Sequence, residues 1–395
     1  MSKEFSVEEK LLLNLLSEEL PGKTGEKGQE YTDWKKLFER ADRHRVLALL
    51  YNTIEAAEFP VEEKKRWMKK VRGAVLQSYH LLFTAKFVVE LLEKNNISCV
   101  LLKGVTIACC YGTPELRKAG DVDILLLDMA QKEQAEGLLT EAGFKKSNEQ
   151  HASHHTVWFS PENIEVEIHT RIIEKFTQEK ANRKMDELFS YIPEHIHRKD
   201  IMGVDFPVLR DGYQAYHLLL HMLVHYLHSG FGLRLLCDWV AFWNREISEA
   251  ERKEYRRLVK ESGLQKFSDM ITSVCVHFLG LAEPGLGTCI AREKTEEFLA
   301  EVLEAEEFGA SDSDRLLILN ETGIKAYIRE FHHQMKMNYP KLGKVFLLWP
   351  VLWICTLVRF VTNNHKIRGT TSWKVLKKTQ ERSKNIKELQ LFQKM

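Results

Sequence analysis

The sequence predicts an α+β protein in which a small mixed β-sheet is embedded between N-terminal and C-terminal helical regions. Three observations carry that expectation. Apolar residues recur at spacings of three and four as far as residue 94, short runs rich in β-branched residues replace them between 97 and 170, and helical spacing returns beyond about residue 180. With 395 residues, 44% of them hydrophobic, and only 21 glycines and 9 prolines, the chain has the composition of folded cores. The expected division is a helical region at 1–94, a sheet core at 95–180, a helical domain at 181–340 and a basic helical tail at 341–395.

Element by element, Leu11, Leu12, Leu13, Leu15, Leu16 and Leu20 give a helix over Val7–Leu20, which the glycine-bearing stretch Pro21–Glu30 ends. Helical spacing continues over Trp34–Ala57 and Glu62–Glu93. Ile97–Leu102 (ISCVLL) then reads as a buried strand, introduced by Asn95-Asn96 and closed by Lys103-Gly104. Val105–Tyr111 is a short helix, Thr113-Pro114 breaks it, and Val122–Leu127 (VDILLL) is a second strand. Gln131–Ala142 is a helix stopped at Gly143. His154–Ser160 and Ile164–Thr170 alternate in polarity, and Pro161-Glu162-Asn163 joins them as a hairpin. Only helices are expected beyond residue 180, the clearest being Tyr213–Leu227 and Arg234–Trp243, with breaks at Glu283–Gly287 and Gly309–Asp314.

Lys+Arg 57 against Asp+Glu 56 leaves a net charge of +1, so no whole-chain electrostatic grip on nucleic acid is indicated. The balance hides an asymmetry. Lys341–Met395 carries 12 Lys/Arg and 2 Asp/Glu, a local +10 that leaves −9 on the rest. Such a tail either meets an anionic partner or lies on its own acidic body. Within it, Val345–Val358 (VFLLWPVLWICTLV) is 14 apolar residues interrupted by Pro350. A span needs about 20, so a buried or groove-covering helix is expected, with an interfacial membrane helix as the alternative. The seven cysteines form no paired CxxC, and Met1 is followed by Ser2-Lys3-Glu4 with no apolar leader, so a cytoplasmic location is expected.

The chemistry concentrates in residues 101–127. Asp121 and Asp123 stand one residue apart at the mouth of a strand, and the period-two alternation of strand side chains points both carboxylates the same way. Like charges so placed repel, and removing either is expected to leave the fold intact or slightly stabilised. The arrangement calls for a cation, and oxygen donors suit Mg²⁺, which would bridge the phosphates of a nucleoside triphosphate. Gly104, directly after a strand, lets backbone amides approach a phosphate. Arg117 offers a planar donor fork for phosphate oxygens. Glu165 and Glu167 share one face of a later strand, either as a polar outer face or as the third carboxylate of a metal site, holding the ion or taking a proton from an acceptor hydroxyl.

The succession of strand, Lys103-Gly104, helix, Tyr111, Arg117, Asp121-x-Asp123 and a later strand ending Glu167-Ile-His169 resembles the polymerase-β-type nucleotidyltransferase superfamily. Within it, the sequence is similar to a poorly characterised bacterial group of stand-alone enzymes associated with peptide-modification gene clusters. The motifs cover about residues 97–170, with looser similarity from His221 through Arg234 to Asp238 and in the final basic stretch ending Glu388-Leu-Gln-Leu. The resemblance implies that Asp121, Asp123 and Glu167 are the catalytic carboxylates and hold Mg²⁺. It further implies that Lys103, Gly104 and Arg117 bind the nucleotide, and that an NTP donates a nucleoside monophosphate to a hydroxyl or phosphate acceptor, on a small molecule or a peptide. Val105 departs from the Gly or Ser usual after the turn glycine, a contact for which Lys103 compensates. The alternatives are a degenerate nucleotide- or peptide-binding module and a phosphoryl-transfer enzyme on the same scaffold.

Helical spacing aligns His217, His221 and His225, with His228 nearby, for which packing or substrate contact is expected over zinc. His151, His154 and His155 are either solvated or line the pocket beside the hairpin. Trp349, Trp353 and Trp373 are expected to pack rather than to stack on bases.

Overall fold

The computed structural model describes residues 5–21, 33–56, 58, 60–147, 154–176, 178–228, 230–282, 285–306, 331–332, 335–336, 339, 342–368, 386 and 388–392. Residues 22–30 of the expected glycine-bearing loop, His151, the break at Gly309–Asp314 and Trp373 lie outside them.

The N-terminal helices are α1 (Val7–Glu19), α2 (Trp34–Arg43), α3 (Tyr51–Ala56) and α4 (Val61–Lys94). Ser6 caps α1: its hydroxyl accepts from the Glu9 N–H while Glu9 accepts from the Ser6 N–H. The helix expected over Trp34–Ala57 is broken, because His44 ends α2 and Arg45 takes a left-handed φ of 57°. A 3-10 turn, Leu47–Leu50, follows before α3.

Strands β1 (Cys99–Leu101), β2 (Asp121–Leu126), β3 (Lys145–Lys146), β4 (His155–Phe159), β5 (Glu165–His169), β6 (Ile196–Ile201) and β7 (Val204–Leu209) form one mixed sheet in the order β3-β4-β5-β2-β1-β7-β6. β2 runs antiparallel to β1 and parallel to β5. Between them in sequence stand the single turn α5 (Val105–Ala108) and α6 (Lys132–Glu141). The hairpin of β6 and β7 corrects the expectation of helices alone beyond residue 180. It turns through Met202 and Gly203, both at positive φ (54° and 83°), and pairs with β1 through Leu101 and Val208. Its signal was masked by a polar strand, His197 to Asp200, and by Pro207, which in sequence argues against a strand.

The helical remainder comprises α7 (Glu179–Phe189), α8 (Asp211–His228), α9 (Leu233–Trp243), α10 (Glu249–Glu261), α11 (Gln265–Phe278), α12 (Arg292–Ala305) and α13 (Trp349–Arg368). Pro350 lies in the first turn of α13, where a missing N–H costs nothing, so it starts that helix rather than interrupting it. Among the described residues one helix, α4, is long and apolar enough by composition to cross a bilayer. Its second half instead covers the sheet.

The sheet separates two cores. Leu101, Val122, Ile124, Val166 and Ile168 pack with Leu81, Leu82, Val88 and Val89 of α4 and with Leu139 of α6. Val100, Leu102 and Leu125, pointing the other way by strand alternation, join the large helical core built from α1 to α4 and α7 to α12. Residues sharing the face of Leu125 therefore look towards the helical half.

Candidate active site

That face carries the carboxylates. The parallel pairing of β2 and β5 sets Asp121 opposite Glu165 and Asp123 opposite Glu167, so the period-two alternation aligns two acidic pairs side by side. The intervening Val122, Ile124, Val166 and Ile168 anchor both strands in the core beneath. Lys103 leaves the end of β1, whose neighbour Leu102 donates its N–H to the Asp123 carbonyl at 2.9 Å. The Lys103 ammonium donates to Asp123 Oδ1 at 2.7 Å and lies 3.6 Å from Asp121 Oδ2. From the end of β5, His169 Nε2 reaches Asp123 Oδ1 at 3.1 Å and Glu167 Oε2 at 3.0 Å.

Burial alone would raise the pKa of Asp123, whose side chain is wholly enclosed, yet the Lys103 charge and the His169 hydrogen bond hold it below the usual carboxylate range. Glu167 shows the same contest: burial opposes, and His169 and Lys103 win, bringing it to about 2. Reciprocally, His169 rises to about 9 against the burial that disfavours its charge, because it bonds both carboxylates. Lys103 is likewise raised against its burial by Asp121, Asp123 and Glu167. At neutral pH the cluster thus sets two fixed cations, the ammonium and an imidazolium, against its carboxylates. The donor set fits a hard cation: carboxylate oxygens dominate, and Asp123 Oδ2 is buried without a hydrogen-bond partner among the described residues. Asp123, Glu167 and, in its neutral form, His169 each have a ligand atom within 4.8 Å of the others.

Gly104 sits at φ 79°, and a Cβ there would stand 3.3 Å from the Asp121 carbonyl oxygen, so the turn needs glycine for its conformation and for its approach to β2. The helix behind it is one turn, shorter than the expected Val105–Tyr111. Anion binding there would rest on individual N–H groups rather than on a macrodipole. Arg117, on which the Asp121 charge also acts, is engaged by α9. Its guanidinium, 3% exposed, donates to Asp238 Oδ1 at 3.0 Å and Oδ2 at 2.7 Å, and the Tyr111 hydroxyl donates to Asp238 Oδ1 at 2.8 Å. Burial opposes the Arg117 charge and Asp238 restores it, raising its pKa.

Residues 30–280 match the family described as uncharacterised nucleotidyltransferase, well over half of the chain. The chain belongs to that nucleotidyltransferase family. Among solved structures it is similar to an antigenic nucleotidyltransferase-like protein from Paracoccidioides brasiliensis, at 15% identity over 46% of this chain and 88% of that one, with a TM-score of 0.31. It is also similar to a lincosamide antibiotic adenylyltransferase with lincomycin bound, at 14% identity over 45% of this chain and 94% of that one, with a TM-score of 0.26. No curated protein matches it.

In this nucleotidyltransferase the sheet gathers Lys103, Asp121, Asp123 and Glu167 as a cluster, with Gly104 at its edge and Arg117 braced against α9. Two residues went unassigned in the sequence. His169 is at the centre of the cluster, and its signal was present, since Glu165, Glu167 and His169 share one face of β5. Asp238 ends the stretch of looser family similarity, but nothing local named its partner, since it stands 121 residues from Arg117. On α8, His217 is buried with Nδ1 unpartnered among the described residues, and the charges of Lys103, Asp123 and His169 act on it. Burial first, then those neighbours, brings its pKa to about 3. His221 packs edge-on against His225 at 4.4 Å. Of the stripe, His217 thus lies within the field of the carboxylate cluster.

Proposed function

We propose that the chain transfers a nucleoside monophosphate from an NTP to a hydroxyl or phosphate on a small molecule or peptide in the cytoplasm, releasing pyrophosphate. What supports this reading is the in-register pairing of β2 with β5, which sets Asp123 and Glu167 side by side around the Lys103 ammonium. Asp121, Asp123 and Glu167 would hold Mg²⁺, which supplies neutralisation of phosphate charge when bound.

In the transfer the acceptor oxygen bonds to the α-phosphorus, the bond to the α–β bridging oxygen breaks, and pyrophosphate leaves with that electron pair. Lys103 and the N–H groups of the Gly104 turn contact the triphosphate. The His169 hydrogen bond and the Lys103 charge, against burial, hold the Glu167 carboxylate below its usual range, which favours an ion-holding role over that of the base. Glu167 serves better as a fixed anion, and the proton of a hydroxyl acceptor passes to solvent late in a loose transition state. His169 keeps both carboxylates aimed at one point. Arg117 acts at one remove, fixing the segment before Asp121 against Asp238.

The test is pyrophosphate release from each NTP with Mg²⁺ across candidate acceptors, together with the mass of the product. An acceptor heavier by a nucleoside monophosphate is expected, with a loss of about 10²-fold or more in Asp121→Asn and Glu167→Gln. A product heavier by one phosphate would establish phosphoryl transfer instead. NTP binding with no release from any acceptor would favour the binding module.

A further inference from the structure

Beside the carboxylates lies a second group of ligand atoms. β4 pairs antiparallel with β5 so that His155 stands directly opposite His169, and His154 precedes β4 by one residue. One nitrogen from each of His154, His155 and His169 lies within 4.8 Å of the others. Their rings pack at centroid separations of 4.5, 5.0 and 5.6 Å. His154 Nε2 and His155 Nδ1 are 3.1 Å apart and hydrogen-bond to each other without an ion, slightly inside the roughly 3.3–3.4 Å of two nitrogens bound to one tetrahedral ion.

The other nitrogens of His169 and His155 point to the same conclusion, whereas His154 Nδ1 is buried without a partner among the described residues. His169 spends Nε2 on Asp123 and Glu167, leaving Nδ1 buried and without a partner among the described residues, in a side chain 5% exposed. His155 turns Nε2 towards Glu167 Oε1 at 3.6 Å. An imidazole whose far nitrogen faces a carboxylate while its near nitrogen turns to the other rings, open in His169 and paired with His154 in His155, is the arrangement that orients a metal-ligating histidine. Three imidazoles with no thiolate select a borderline first-row ion over Mg²⁺, and three protein ligands leave a fourth position open.

We propose that His154 Nε2, His155 Nδ1 and His169 Nδ1, the last giving up its ring proton to solvent as the ion binds, hold one Zn²⁺-class ion next to the carboxylate cluster. The site is distinct from that cluster in ligand chemistry, and His169 joins the two. It does not depend on the reaction assigned above.

Co²⁺ added to the metal-stripped full chain is the probe, read by visible absorption and by equilibrium stoichiometry. Expected are about one bound equivalent and the intense bands of four-coordinate Co²⁺, abolished by Zn²⁺ competition but retained in excess Mg²⁺. His154→Ala and His155→Gln should each weaken Co²⁺ binding by about tenfold to a hundredfold, while Asp121→Asn leaves the bands in place. Far-UV circular dichroism of the stripped variants checks that they fold. The spectrum of the unaltered chain decides even if they do not: weak six-coordinate bands, or no bound Co²⁺, overturn the assignment. So does binding lost in Asp121→Asn and kept in both histidine variants, which would place the ion on the carboxylates alone.

Discussion

Asp121 and Asp123 look equivalent in a DxD strand, and the fold makes them different. The Asp121 side chain is 33% exposed and stands 3.6 Å from Lys103, whereas Asp123 is wholly enclosed and bonded to both Lys103 and His169. Mutual repulsion, which would make either removal harmless, is outweighed at Asp123 by two buried cations that would lose their partner. Asp123→Asn is therefore expected to destabilise the protein by about 3–5 kcal/mol, and Asp121→Asn by about 1 kcal/mol or less. Denaturation in EDTA separates them, and equal stabilities would refute the asymmetry. The histidines add a pH dependence with two limbs. His44 and His217, lowered by burial to about 3, stay neutral in the fold, so below pH 6.5 the unfolded chain gains protons that the native state refuses. Stability is then lost as pH falls from about 6.5 towards 3, at about 1.4 kcal/mol per pH unit for each. His169 has the opposite sign: raised to about 9 by its carboxylate bonds against burial, it contributes fully below pH 6.5 and loses that contribution as pH rises through 9. Melting in EDTA should peak near pH 6.5, with the alkaline limb flattened in His169→Gln and the acid limb in His217→Gln.

At the scale of elements, what the sequence revealed depended on whether the signal was local. β2 and β5 were legible because Val122, Ile124, Val166 and Ile168 alternate with carboxylates, and alternation is a property of the strand itself. The pairing that makes the site is not local, since Asp123 and Glu167 meet only through the register of parallel strands. The β6–β7 hairpin was hidden by Pro207 and by a Met202-Gly203 turn without the usual Asn or Asp. Arg117 suffered a similar fate: its planar fork suggested phosphate, and a helix distant in sequence supplied Asp238 instead. That pair ties the segment before β2 to α9 and is buried on both sides, at 3% and 1% exposure. Asp238→Ala should cost about 3–5 kcal/mol by stranding the guanidinium, whereas Arg117→Leu with Asp238→Leu should recover much of that loss. A double variant as unstable as the single one would show that the Tyr111 hydroxyl bond, also lost, carries the energy.

For the whole molecule the charge division, a basic tail against an acidic body, together with the short apolar run, leads one to expect residues 341–395 to belong to the folded body and not to span a membrane. The described parts behave differently. On α13, Leu352 and Thr356 are buried while Val351, Ile354, Leu357 and Val358 are more than half exposed, so the helix does not bury its apolar run as expected. Its tryptophans pack locally: Trp349 donates to the Gly343 carbonyl at 2.9 Å and Trp353 to His332 Nδ1 at 3.2 Å. The end of the tail, by contrast, enters the helical core. Ile386, Leu389 and Phe392 are buried there, the Phe392 N–H donates to the Gly263 carbonyl at 3.1 Å, and its ring lies 4.8 Å from Phe176. Apolar burial of such residues contributes about 1.5–3 kcal/mol each, far more than screened surface charges. Leu389→Ala and Phe392→Ala should therefore each cost about 2–4 kcal/mol, and a chain ending at residue 385 should lose more than either. Ile354→Lys and Leu357→Lys, placed on exposed positions of α13, should change stability by about 0.5 kcal/mol or less. Urea denaturation of the five proteins against the full chain reads both halves of the argument. A truncated chain as stable as the full one would mean that the last ten residues follow the fold rather than hold it, and a destabilising Ile354→Lys would mean that the apolar face of α13 is covered.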